Sequence, residues 1–248
     1  MKQKPVSYWD LTRYFAPLAL QAASQAFSYP LVAMVASRGP GGTVNLAGLA
    51  QSNIVLFFIG VVGLGLVTTG MVYGRTREGF NNFFMLTLQI GVFCSLVQAL
   101  LCTPILSRLL FGYIIGLPPA IEAPAKLTLL ATIPLQFLFF LRVPYQVAMY
   151  NARETGKASI ATIARIIFTA LLSFISCMLG QVGPIWAAVC LTLPVALEVV
   201  GSWFLSRHLI HDLSSSMETP PGIWEIFKFN IPLSIGGYFL SLVGIIIG

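Results

Sequence analysis

The sequence predicts an all-α polytopic membrane bundle, and three observations carry that prediction. Of 248 residues, 57% are hydrophobic and only 9% are Asp, Glu, Lys or Arg, against roughly 25% charged in a soluble domain. The mean hydropathy is +0.86, so the apolar excess faces lipid and not water. The apolar residues also run in long continuous stretches without the alternation of a membrane barrel, which leaves helices as the spanning element.

With about 20 residues needed to cross a hydrocarbon core, seven spans are expected. The first, 14–37, ends at Arg38-Gly39-Pro40-Gly41-Gly42. The second, 44–73, carries Gly60, Gly63, Gly65 and Gly70; no strand precedes them and no lysine completes a phosphate loop, so they read as close helix packing. The third is 80–101, after a short basic turn at 74–79, and the fourth, 125–150, follows Pro118-Pro119. The fifth, 157–179, and the sixth, 184–206, come next, and Thr219-Pro220-Pro221-Gly222 marks the turn into the seventh, 229–248. Gly and Pro clusters of this kind punctuate helices, whereas the prolines inside the spans introduce kinks.

Orientation follows from the basic residues. A cytoplasmic N-terminus puts Lys2, Lys4, Arg13, Arg75, Arg77, Arg153, Lys157, Arg207 and Lys228 inside, and Arg38, Arg108 and Lys126 outside. That excess inside fits a multi-pass protein of the plasma or inner membrane. The net charge of +6 is spread between apolar segments without a basic run, which argues against a nucleic-acid partner. Cys94, Cys102, Cys177 and Cys190 lie in or beside apolar stretches without ligand spacing, and His208 and His211 fall on an exposed connection. No metal, cofactor, disulfide or catalytic set is expected, so the chain does not read as an enzyme. No cleaved signal peptide is read at the start.

One segment recurs. The twelve residues from Trp9 to Leu20 align without a gap on those from Trp224 to Ile235, with Trp, acid, base, aromatic, Pro and Leu in register at an offset of 215. Six spans separate the copies, so both enter from the same side as a parallel repeat. The expected organisation is a six-helix N-terminal lobe over 1–213, an inter-lobe linker over 214–223, and the first helix of a truncated C-terminal lobe over 224–248. A parent of twice the length, with five more helices after Gly248, is the corresponding expectation.

Inside the spans three ionisable residues remain, Arg142, Arg165 and Glu198, each eight residues from the cytoplasmic end of its predicted span. At 1.5 Å per residue that is about 12 Å deep, one layer. An arginine at a helix centre costs about 2.5–3.5 kcal/mol on an insertion scale, so a compensating partner is required. Either Glu198 pairs with one arginine while the other snorkels to the interface, or the surplus positive charge lines a hydrated cavity and meets an anion. Polar stripes accompany the layer. Thr162, Arg165, Thr169, Ser173 and Ser176 share an arc of about 80° on the fifth helix; the first carries Gln21, Ser24, Gln25 and Ser28, and the fourth carries Tyr145 and Gln146 beside Arg142. The candidate substrate-binding set is therefore Arg142, Arg165, Glu198, Gln21, Gln25, Thr169, Tyr145 and Gln146. Such stripes act as interhelical glue or as a cavity wall.

Six helices, a parallel repeat opening on an aromatic and basic lead-in to Pro-Leu, and a glycine-rich second helix resemble the MATE-like superfamily of multidrug and toxin extruders and oligosaccharide flippases. Within it, the stretch from Tyr8 to Leu18 is most similar to progressive ankylosis type transporters, as are the basic turn at 74–79 and Gly156-Lys157-Ala158-Ser159. The resemblance implies two lobes that alternate access to a central cavity and export a small organic anion or drug-like solute, coupled to protons or sodium. Small polyanions such as pyrophosphate, nucleotide or citrate would suit Arg142 and Arg165. Drug extruders often carry an acid in the first helix; here that helix has Gln21 and Gln25, which leaves Glu198 as the intramembrane acid for proton coupling. A flippase for a lipid-linked polyanionic saccharide and a non-transporting membrane assembly partner are the alternatives.

Overall fold

A computed structural model describes residues 8–215 and 220–247, with the side chains of 9–11, 13, 14, 17, 18, 21, 22, 25 and 240–247 outside the described set. The order is α1 (Tyr8–Ser37), α2 (Gly42–Gly60), a 3-10 turn (Val61–Gly63), α3 (Leu66–Tyr73), α4 (Arg77–Leu101) and α5 (Pro104–Ser107). A π-helical turn (Arg108–Ile114), α6 (Pro119–Ala131), α7 (Ile133–Asn151), α8 (Thr155–Met178), α9 (Pro184–His211) and α10 (Ile223–Ile247) follow. The described residues contain no strand, and the all-α polytopic bundle stands.

Four segments, Gly42–Tyr73, Arg77–Leu101, Thr155–Met178 and Pro184–His211, are each long and apolar enough to span, and the bent pair Pro119–Ala131 with Ile133–Asn151 supplies a fifth. The expected spans at 14–37 and 229–248 fall on α1 and α10, which are not among these five. The bundle packs α1 on α8, α2 on α6, α4 on α7, and α9 on both α7 and α8. Its apolar centre includes Leu49, Leu66, Phe83, Leu129 and Leu135, all buried.

Two expected single helices are broken. Residues 125–150 do not form one helix: α6 and α7 meet at Thr132 with a bend of 42°. Pro134 in the first turn of α7 has no N–H to donate to the Leu130 carbonyl, which interrupts the helical ladder between α6 and α7. Gln98 of α4 meets the freed backbone, its Nε2 donating to the Leu129 carbonyl at 2.7 Å and to Thr132 Oγ1 at 3.1 Å. The span expected at 44–73 narrows to a 3-10 turn between α2 and α3, in the stretch that holds Gly60, Gly63 and Gly65.

That second break is where α10 docks. Asn230 Nδ2 donates to the Val62 carbonyl at 3.0 Å and to Ser234 Oγ at 3.2 Å, and Ser234 Oγ donates to the same carbonyl at 2.8 Å. Thr69 Oγ1 donates to Asn230 Oδ1 at 3.2 Å. The approach is close enough that a β-carbon on Gly65 would lie 2.6 Å from Asn230 Oδ1 and 2.7 Å from Leu233 Cβ. The segment before α10 is strapped to the start of α4 through Arg77 N–H to the Ser214 carbonyl and Asn82 Nδ2 to the Pro221 carbonyl.

Candidate functional site

The face of α8 decides where its polar stripe points. Thr162, Arg165, Thr169, Ser173 and Ser176 are all buried, whereas Ile160, Ile163, Ile167, Leu171, Phe174 and Met178 are exposed. The two sets occupy opposite sides of the helix at 100° per residue, so apolar residues meet lipid and polar ones meet α1 and α9. An arginine on the buried side must find its counter-charge within the bundle.

It finds Glu198 of α9. Arg142 Nη1 of α7 donates to Glu198 Oε2 at 2.7 Å, and Arg165 Nη1 makes an ion-pair contact with the same oxygen at 3.4 Å. Thr162 Oγ1, one turn from Arg165, donates to Glu198 Oε1 at 2.7 Å. Three helices thus converge on one carboxylate whose side chain has no exposure. The single layer expected from residue spacing is present, but neither expected pairing is the observed one: the carboxylate serves both arginines and a threonine together.

The two arginines differ in access. The Arg142 side chain is 20% exposed and its guanidinium carbon lies 5.4 Å from the centre of the Phe139 ring, a cation–π arrangement. The Arg165 side chain is 2% exposed. Arg165 Nε and Nη2, Arg142 Nε, and the hydroxyls of Ser159 and Ser202 are buried without a hydrogen-bond partner among the described residues. These atoms are donors or can act as donors, and the cluster carries two positive charges against one negative. An arrangement of this kind is complementary to an anion.

The remaining sequence-predicted residues are placed differently. Thr169 Oγ1 donates to the backbone carbonyl of Arg165 at 2.9 Å and, among the described residues, makes no side-chain link to the ion cluster. Tyr145 packs edge-on against Phe84 of α4, ring centres 6.0 Å apart, and Gln146 is buried on the same helix. The side chains of Gln21 and Gln25 lie outside the described residues. Sequence reasoning assigned Thr162 to the stripe without giving it a role, and it did not single out Ser159, Ser202 or Phe139. The position of Thr162 three residues before Arg165 was the available signal.

Two solved membrane transporters share the fold of this bundle. One is an inward-facing multidrug resistance MATE family transporter of the MOP superfamily, at TM-score 0.64 and 16% identity over 92% of this chain and 55% of that one. Another is a MOP superfamily transporter from Pyrococcus furiosus described as having a binding pocket of reverse polarity, at TM-score 0.67 and 14% identity over 94% of this chain and 52% of that one. The chain therefore spans about half the length of the solved structures it matches. No family model matches it, and no curated protein does. At these identities the likeness is one of fold.

Proposed function

We infer that the chain is one lobe of an alternating-access membrane transporter that exports a small organic anion, with the N-terminus on the cytoplasmic side. One observation carries the reading. Glu198, at mid-depth and closed to solvent, is shared by two guanidinium groups, and the accessible one of the two is Arg142. An anionic solute that approaches Arg142 competes with Glu198 for it, while Arg165 and Thr162 continue to hold the carboxylate. The bound solute thereby changes which helices the carboxylate ties together: α7, α8 and α9 before binding, and α8 with α9 alone after it. This is the kind of discrete rearrangement that access switching uses.

Glu198 serves here as counter-charge and not as a proton carrier, because both its oxygens are engaged and neither is open to water. The tying of α7 to α9 makes Arg142 the residue to test. The full-length protein in liposomes, offered citrate, pyrophosphate or ATP as probes, is expected to move at least one of them. Arg142→Gln is expected to lower that rate at least tenfold with membrane insertion intact. Unchanged transport in Arg142→Gln, or transport confined to cationic or neutral solutes, overturns the reading.

A further inference from the structure

Arg165 has a feature that the transport reading leaves unused. Its Nη1 faces Glu198 at 3.4 Å, while Nε and Nη2 are buried without a partner among the described residues. Those two nitrogens form the side edge of the guanidinium, where the N–H bonds run parallel and can seat one anion between them. A buried donor with no acceptor is destabilising, more so when it carries charge. The cluster as a whole holds one more positive charge than negative, at a depth where water does not screen it. The missing complement is therefore a negative charge and an acceptor at the same place.

Size selects among anions. Arg142 is 20% exposed and Arg165 only 2%, so the Arg165 fork favours a small anion over an organic solute. The elements around the fork are α9, which brings Glu198, α7, which brings Arg142, and α1, which packs along α8. We propose that the free Nε–Nη2 edge of Arg165 holds a halide-sized inorganic anion as a resident counter-ion, a site separate from the solute contact at Arg142. The ion balances the charge of the cluster, and it keeps Arg165 fixed on Glu198 when a solute draws Arg142 away.

Thermal unfolding of the purified full-length protein in detergent tests this, with sodium gluconate replaced stepwise by sodium chloride or bromide at constant ionic strength. The midpoint is expected to rise and saturate with halide, by roughly 5 °C when halide reaches about a hundred times its dissociation constant. Arg165→Gln is expected to abolish the dependence, and Arg142→Gln, which leaves the fork in place but removes the surplus positive charge, to weaken it. If Arg165→Gln does not fold, the wild-type structure determined in bromide gives the answer, with an anomalous peak expected on the Arg165 fork. Equal midpoints in gluconate and chloride, a halide effect that survives Arg165→Gln, or a fork occupied by water alone in bromide overturns the proposal. The readout uses no organic solute, so failure of the transport reading and failure of this one are distinguishable.

Discussion

Two polar clusters lie buried between the helices of this bundle, and they are built to opposite ends. At the α10 junction, Asn230, Ser234, Thr69 and the Val62 carbonyl are neutral and fully engaged with one another. At the α7–α8–α9 junction, two arginines share one carboxylate and keep three guanidinium nitrogens without partners among the described residues. A closed neutral network is adhesive: it fixes one helix against another and has nothing left to offer a ligand. An unclosed, charged one has binding capacity at the expense of stability. The contrast separates polar residues that satisfy one another from those that keep donors to spare.

Mutations sharpen that contrast, and the largest effect belongs at the charged cluster. Glu198→Ala removes the shared carboxylate and leaves two guanidinium groups facing each other. Unfolding in mixed micelles is expected to show a loss of about 3–5 kcal/mol, partly recovered when Arg142→Gln is added. Gly65→Ala tests how tightly the neutral junction is packed. Its β-carbon would meet Asn230 and Leu233 below contact distance, and about 1–3 kcal/mol of overpacking is expected in the same assay. Asn230→Leu leaves the Val62 carbonyl still served by Ser234, so a loss of about 0.6–1.7 kcal/mol is expected, in the range of membrane hydrogen bonds. Thr162→Val, which deletes one of the two hydrogen bonds to Glu198, is expected at the lower end of that range. A larger effect at Asn230 than at Glu198 would break the comparison.

Much of this was legible in the chain. Long apolar runs identified the bundle, and equal distance from predicted helix ends placed Arg142, Arg165 and Glu198 in one layer, because helical rise converts residue count into depth. The breaks were less visible. Pro134 read as an ordinary kink within 125–150, whereas with Thr132 and Gln98 it ends one helix and starts another. The α10 junction was hidden in the very alignment of 9–20 on 224–235 from which a repeat was expected. In register, Phe15 of α1 corresponds to Asn230 of α10, yet Phe15 is 56% exposed and Asn230 is buried. The informative position was the one where the two copies differ, and a search for shared residues passes over it. The sharing of Glu198 by both arginines could not be read from spacing either, since spacing gives depth and face but not which neighbouring helix supplies a partner.

The central claim is that the unclosed cluster, and not the closed one, takes an anion. Equilibrium binding of citrate, pyrophosphate and ATP to the full-length protein in nanodiscs, compared between wild type, Arg142→Gln and Asn230→Leu, tests it most directly. The account predicts that at least one anion binds, that Arg142→Gln weakens it tenfold or more, and that Asn230→Leu leaves the affinity within about twofold. Binding unaltered by Arg142→Gln, or lost on Asn230→Leu in protein that remains folded, would contradict it.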